Sequence, residues 1–257
     1  MSDWQPSLYL RFGRERTQPS IDLVARIGVG DPRRILDVGC GPGNSTAVLK
    51  ARWPQAHIIG LDSSAAMIAD AQTTYPDLEW IRADASGDLT GLGRFDVVFS
   101  NAAIQWIPDQ EALLPKLFAM LEDGGVLAVQ VPDTGRMPLH LELVRLASSE
   151  AWSARFEGMA SSYSVHGAGF YYATLCGLSS RLDLWETRYF HVMDDHAAIV
   201  SWYSGSGLRP YLDCLSDHES RRDFLAQYEA ALVDAYPVQP DGRVLLPFTR
   251  VFFMATH

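Results

Sequence analysis

The chain has 257 residues, 47% of them hydrophobic, enough to bury a full core, and a formal net charge of -10 at pH 7. That balance lacks the basic footprint that would neutralise a phosphate backbone, so nucleic acid is not an expected partner. No apolar run approaches a membrane span, Met1-Ser2-Asp3-Trp4-Gln5-Pro6 has no basic region leading into an apolar one, and Cys40, Cys176 and Cys214 form no CxxC pair; the expectation is a cytoplasmic, soluble protein with no metal site and no membrane contact.

Residues 1–30 are expected to form an N-terminal helical flap, and 31–135 a cofactor-binding core. Within the core, short apolar runs alternate with helical stretches, the pattern of βαβ units around a parallel sheet. Strands are predicted at Arg34 to Val38, Ile58 to Leu61, Trp80 to Ala83, Asp96 to Ser100 and Val126 to Val131. Asn44 is predicted to cap a helix running to Trp53, Ser63 or Ser64 a second through Met67, Ile68 and Ala71, and Asp109 a third. Glu122-Asp123-Gly124-Gly125 is predicted to be a tight turn into the fifth strand.

After Pro132 the rhythm changes. A helix around Leu139 to Ala147 leads into Ser161 to Gly169, which has no clear period and is expected to be a loop over a site. Residues 136–183 and 193–243 are expected to be cap insertions, the second mostly helical and broken at Gly205-Ser206-Gly207. Residues 184–192 and 244–257 are expected to be closing strands. The whole is a single α/β domain with a helical cap.

The most informative stretch is Ile35-Leu36-Asp37-Val38-Gly39-Cys40-Gly41-Pro42-Gly43-Asn44. A buried strand enters a glycine-rich turn and then a helix, so a ligand can approach the backbone where no Cβ intrudes. A dinucleotide would also suit such a turn, but Asp37 sets an anion at its mouth. That disfavours a pyrophosphate and suits an ammonium group, and the GxGxxG spacing is missing. Asp62, ending the second strand, can accept from both hydroxyls of a ribose, whichever of these ligands carries it.

Leu36-Asp37-Val38-Gly39-Cys40-Gly41-Pro42-Gly43 resembles the first motif of Rossmann-like, S-adenosylmethionine-dependent methyltransferases, which carry a mostly parallel seven-stranded sheet whose last hairpin is antiparallel. The resemblance implies that S-adenosyl-L-methionine is bound by Asp37, Gly39, Cys40, Gly41 and Gly43, with Asp62 and Ser63 at the ribose. Ile81-Arg82-Ala83-Asp84-Ala85 is similar to the adenine-binding motif, with Asp84 accepting from the exocyclic amine and the Ala85 amide facing the ring. The fourth strand leads to Asn101 and Gln105 beside the methionine portion, and to Trp106, either core or acceptor site.

The flanking segments are more specific than the glycine loop. Asp3 to Phe12 with Glu15 to Pro19, Trp202 to Leu212, and Asp241 to Phe252 resemble trans-aconitate 2-methyltransferases, so the likeness spans nearly the whole chain. It implies esterification of one carboxylate of a tricarboxylic acid. No general base, metal or triad is then required, because a carboxylate is already ionised at neutral pH; positioning and exclusion of water suffice, and no residue is expected to be catalytic. Local cations are expected in the acidic chain, with Arg209 and Arg250 the first choices, each with a surface ion pair as the alternative. Trp4, Tyr9, Phe12 and Arg16 are candidates for a flap, Arg16 facing a carboxylate of cofactor or substrate, and His166 is a weaker candidate for the acceptor. The competing expectations are a methyltransferase for another small acid or a quinone precursor, a nicotinamide-dependent oxidoreductase, and a non-catalytic binding module.

Overall fold

The computed structural model describes residues 13–159 and 163–257, and side chains from Thr17 onward. Among these residues seven strands form one sheet in the order β3-β2-β1-β4-β5-β7-β6. They are β1 (Arg34–Val38), β2 (His57–Asp62), β3 (Glu79–Arg82), β4 (Phe95–Asn101), β5 (Leu121–Pro132), β6 (Arg181–Met193) and β7 (Val244–Thr256). Pairs among β1 to β5 are parallel and β7 runs antiparallel to β5. This is the α/β class anticipated from the alternating pattern.

The helices are α1 (Gly13–Arg26), α2 (Asn44–Arg52), α3 (Ala65–Thr74), α4 (Gln110–Phe118), α5 (Pro138–Ala147), α6 (Ala168–Leu175), α7 (His196–Ser204), α8 (Arg209–Cys214) and α9 (His218–Leu232). No helix is long and apolar enough to cross a membrane among the described residues. The chain divides into two compact units, one holding 13–132, 163–187 and 250–257, the other 133–159 and 188–249.

In the larger unit the sheet is anchored at its amino end by Asp96, whose Oδ2 accepts the backbone amides of Arg33 and Arg34, both at 2.8 Å. One face packs Leu36, Val38, Val98, Leu127, Val129, Val251 and Phe253 against Leu113, Leu117, Tyr171 and Leu175. Parity of side chains along each strand sends Ile35, Asp37, Val97, Phe99 and Asn101 to the other face.

In the smaller unit, α5 begins with a proline, which needs no amide partner there. The next amide, of Leu139, donates to the Tyr236 hydroxyl at 2.9 Å, and the Tyr228 hydroxyl donates to the Leu139 carbonyl at 2.7 Å. The Tyr236 hydroxyl thereby satisfies an amide at the helix start that would otherwise be an orphan in the core, and the buried Tyr228 hydroxyl finds its own acceptor on the same residue. Trp152, Phe156, Tyr211 and Phe224 fill the space beside α9 with edge-on and stacked rings.

Three local expectations are corrected. Asn44 is the first helical residue of α2, not its cap; Gly43 takes the cap position in a left-handed conformation (φ 95) that glycine adopts without a Cβ clash. The turn predicted at 122–125 lies inside β5, which starts at Leu121 opposite Phe95 and absorbs Gly124 and Gly125 as an irregularity in the ladder. The segment expected to be a loop to Gly169 gives way at Ala168 to α6, where Tyr171 and Leu175, one helical turn apart, are buried.

Candidate cofactor and acceptor site

The glycine turn follows β1 and lines a cleft with Gly39, Cys40 and Pro42; Asn44 and Ser45 of α2, Thr17 and Ser20 of α1, and Asn101 at the end of β4 complete it. Thr17, Ser20, Pro42, Asn44 and Ser45 were not among the predicted site residues. Thr17 and Pro19 did stand in a flanking motif, but only the fold places α1 beside the turn.

Asp37 is fully buried and does not line the cleft. Its Oδ2 accepts from the hydroxyls of Ser45 at 2.7 Å and Thr46 at 2.6 Å, while Oδ1 is buried without a hydrogen-bond partner. The carboxylate thus ties the start of α2 to β1. Burial pushes its pKa up to about 6 against the two hydroxyl hydrogen bonds, and the negative charge of Asp62 adds to the rise.

Gly39 has φ +73, and an added Cβ would run into the Ala103 methyl. A side chain at this position therefore collides with the segment after β4 and does not simply obstruct the ligand, a correction to the expectation from the turn alone. Gly41 (φ +55) faces open space. Cys40 is buried and its thiol pKa is driven up, first by desolvation and then by Asp37 and Asp62, which makes it a packing group with no nucleophilic character.

At the tip of β2, Asp62 Oδ2 accepts the Gly41 amide at 2.9 Å and Oδ1 the Ser64 amide at 2.8 Å. Ser64, not Ser63, caps α3 by accepting from the Met67 amide, and Ser63 is exposed. After β3, Asp84 is exposed and its Oδ1 accepts both the amide and the hydroxyl of Ser86, which hold its pKa below the ordinary range. Ala85 beside it is buried.

At the end of β4, Asn101 is buried with no partner for Oδ1. Ala102 adopts φ 54, a left-handed backbone uncommon for a residue with a Cβ, and turns the chain into the short 3-10 helix Ile104–Trp106. Gln105 donates to the Ala102 carbonyl at 2.6 Å and leaves a buried Oε1 without a partner. Over this turn runs 163–167: the Ser164 amide donates to the Gln105 carbonyl at 2.7 Å, and Gln110 Nε2 to the Ser164 carbonyl at 2.8 Å. Trp106 meets Tyr163 edge-on at 4.8 Å, and His166 stacks on Phe170 at 3.8 Å and lies 3.2 Å from the Ser164 hydroxyl.

Asn101, Gln105, Trp106 and His166 thus cluster around one turn. Arg250 is 4% exposed on β7, opposite Pro132 of β5. Arg209 starts α8 in the smaller unit, and its guanidinium is 3.8 Å from Asp213. Tyr9 and Phe12, with Trp4, lie outside the described residues, as does the side chain of Arg16.

A family model described as a methyltransferase domain matches residues 35–125, which span β1 into β5. The chain is 45% identical to the trans-aconitate 2-methyltransferase of Methylobacterium nodulans over 99% of its own length and 98% of that protein's. Identity to the trans-aconitate 2-methyltransferase of an Azoarcus species is 44% over 100% of both chains. The chain belongs to the trans-aconitate 2-methyltransferase family. That of Escherichia coli is 42% identical over 99% and 98%, so likeness within the family includes both units and does not stop at the glycine turn.

Solved structures share the fold at much lower identity. The YcgJ protein of Bacillus subtilis superposes with a TM-score of 0.62 at 12% identity, covering 93% of this chain and 98% of that one. Phosphoethanolamine N-methyltransferase 2 of Haemonchus contortus, in complex with phosphomonomethylethanolamine and S-adenosylhomocysteine, superposes with a TM-score of 0.57 at 15% identity, covering 93% and 52%. This family member therefore shares its fold with both.

Proposed function

We propose that the protein methylates one carboxylate of trans-aconitate, with S-adenosyl-L-methionine as donor. The observation that carries the reading is the meeting, at the carboxyl end of β1 and β4, of an open glycine turn with the partnerless Oδ1 of Asn101. The groups present fit the donor: Asn101 Oδ1 is an acceptor awaiting an N–H or a positively polarised group, and the turn admits a ligand where a Cβ would stand at Gly41. Gly39, Cys40, Gly41 and Gly43 would cradle its methionine end, Asp62 with Ser63 its ribose, and Asp84 with Ala85 its adenine. When bound, S-adenosyl-L-methionine supplies an electrophilic methyl on a positively charged sulfur.

The protein's own work is then positional. A carboxylate at neutral pH needs no deprotonation, so no side chain has to act as a base. Asn101 and Gln105, held by the turn at Ala102, orient the reacting groups, and Trp106 and His166 exclude water beside them. Arg250, Arg209 and Arg16 are the cations proposed to hold carboxylates, and Tyr9 and Phe12 are proposed to flank the acceptor. The test is methyl transfer by the purified protein to a panel of di- and tricarboxylic acids, followed by mass spectrometry. Ester formation on trans-aconitate is expected. Turnover of none of the acids would overturn the acceptor assignment.

A further inference from the structure

We infer that Gln130 is a specificity-determining residue for the acceptor, its carboxamide Nε2 donating to a carboxylate of the polycarboxylic acid at a site shared with Arg250. The inference rests on the acceptor reading proposed above and deepens it. Gln130 stands in β5, fully buried, and neither Nε2 nor Oε1 has a hydrogen-bond partner. A buried amide left unsatisfied is strongly unfavourable, and native folds retain few of them without something that completes their hydrogen bonding.

The register shows where that amide sits. Asn101 pairs with Gln130 across the parallel β4–β5 ladder, Gln130 with Phe252 across β5–β7, and Pro132 with Arg250. Residues directly opposite share a face, as do residues two apart on one strand. Asn101, Gln130, Phe252 and Arg250 therefore lie on one face at the carboxyl end of β4 and β5, with adjacent strands about 4.8 Å apart. Asn101 reaches the cleft.

The strand order decides which ligand Gln130 serves. The glycine turn leaves β1, on one side of β4; β5 and β7 lie on the other. Asn101 separates the cofactor's loop from Gln130, which stands about 10 Å, two strand spacings, from β1. An amide N–H on the same sheet face as an arginine suits a carboxylate, and the amide adds a donor without further charge. A methyl donor carries one carboxylate at its methionine end, so the test must separate the two sources.

The experiment uses the full chain with Gln130→Met, which keeps the length and removes both polar groups, and Gln130→Glu, which keeps the shape and replaces the donor by an anion. For Gln130→Met we expect a melting temperature equal to or above wild type, unchanged affinity for S-adenosylhomocysteine, and a KM for trans-aconitate raised about tenfold or more, with a much smaller change in kcat. Its preference for the tricarboxylate over a dicarboxylate should shrink. Gln130→Glu should raise KM further. An unchanged KM in both variants overturns the inference and makes Gln130 a packing residue. Weakened S-adenosylhomocysteine binding with unchanged KM also overturns it, assigning the amide to the cofactor. If the wild type turns over no polycarboxylate, the proposed function falls and this inference with it, a result distinct from the other two.

Discussion

Asp62 accepts the Gly41 amide at 2.9 Å, so the acid at the tip of β2 holds the glycine turn that follows β1. With Oδ1 on the Ser64 amide as well, both oxygens face N–H donors. Asparagine would set its own NH2 against one of those amides, so Asp62→Asn is expected to weaken S-adenosylhomocysteine binding nearly as much as Asp62→Ala. Each lost charge-assisted bond is worth about 1.5–3 kcal/mol. Titration calorimetry on the two variants checks this; wild-type affinity in Asp62→Asn would remove Asp62 from the site.

Gly39 and Gly41 should fail differently. Gly39→Ala drives a methyl into Ala103 and is expected to lower the melting temperature markedly, with partial recovery in the Gly39→Ala, Ala103→Gly double variant. Gly41→Ala has room for its Cβ and carries only the left-handed strain of about 1–2 kcal/mol. Its defect should appear mainly in cofactor affinity. Thermal melts with and without S-adenosylhomocysteine separate the two.

Asp37 predicts a pH dependence. Its carboxyl is raised to about 6 in the fold from an ordinary 3.8, so the folded state holds the proton more tightly. The resulting stability is fully present below the unfolded value and is lost as pH rises through about 6, a change on the order of 3 kcal/mol. Asp37→Asn keeps an oxygen for Ser45 and Thr46 and removes the buried charge. It should melt higher than wild type at pH 8, with little gain near pH 4. A melting profile parallel to wild type across pH 4 to 8 would refute the assignment.

Arg250→Gln, and separately Arg209→Gln, are expected to raise KM for the tricarboxylate with nearly unchanged cofactor affinity. Lysine should rescue only partly, since it keeps the charge and loses the planar fork. Raising ionic strength should weaken acceptor binding more than cofactor binding, because the acid carries more net charge. Steady-state kinetics at two salt concentrations test both points; wild-type kinetics in both Gln variants would make them structural arginines.

Much of this was legible in the chain itself. The run from Ile35 to Gly43, the strand ends at Asp62 and Asn101, a cap at Ser63 or Ser64 and another at Asp109 follow from local rules: buried β-branched runs, glycines where φ must be positive, and oxygen side chains ahead of helices. Tertiary structure decided what those rules do not reach. The bulge that carries Gly124 and Gly125 within β5 depends on pairing with Phe95, and the first turn of α2 depends on Asp37 accepting from Ser45 and Thr46 across the glycine turn. Asp37 reads along the chain as a ligand at a loop mouth, but the sheet buries it. Gln130 reads as one polar residue in an apolar strand, and only the register of β5 against β4 and β7 sets it opposite Asn101 and on one face with Arg250. Sequence sets which groups a strand carries and in what alternation; which groups meet across strands is decided by the ladder, where residues far apart in the chain come within about 5 Å.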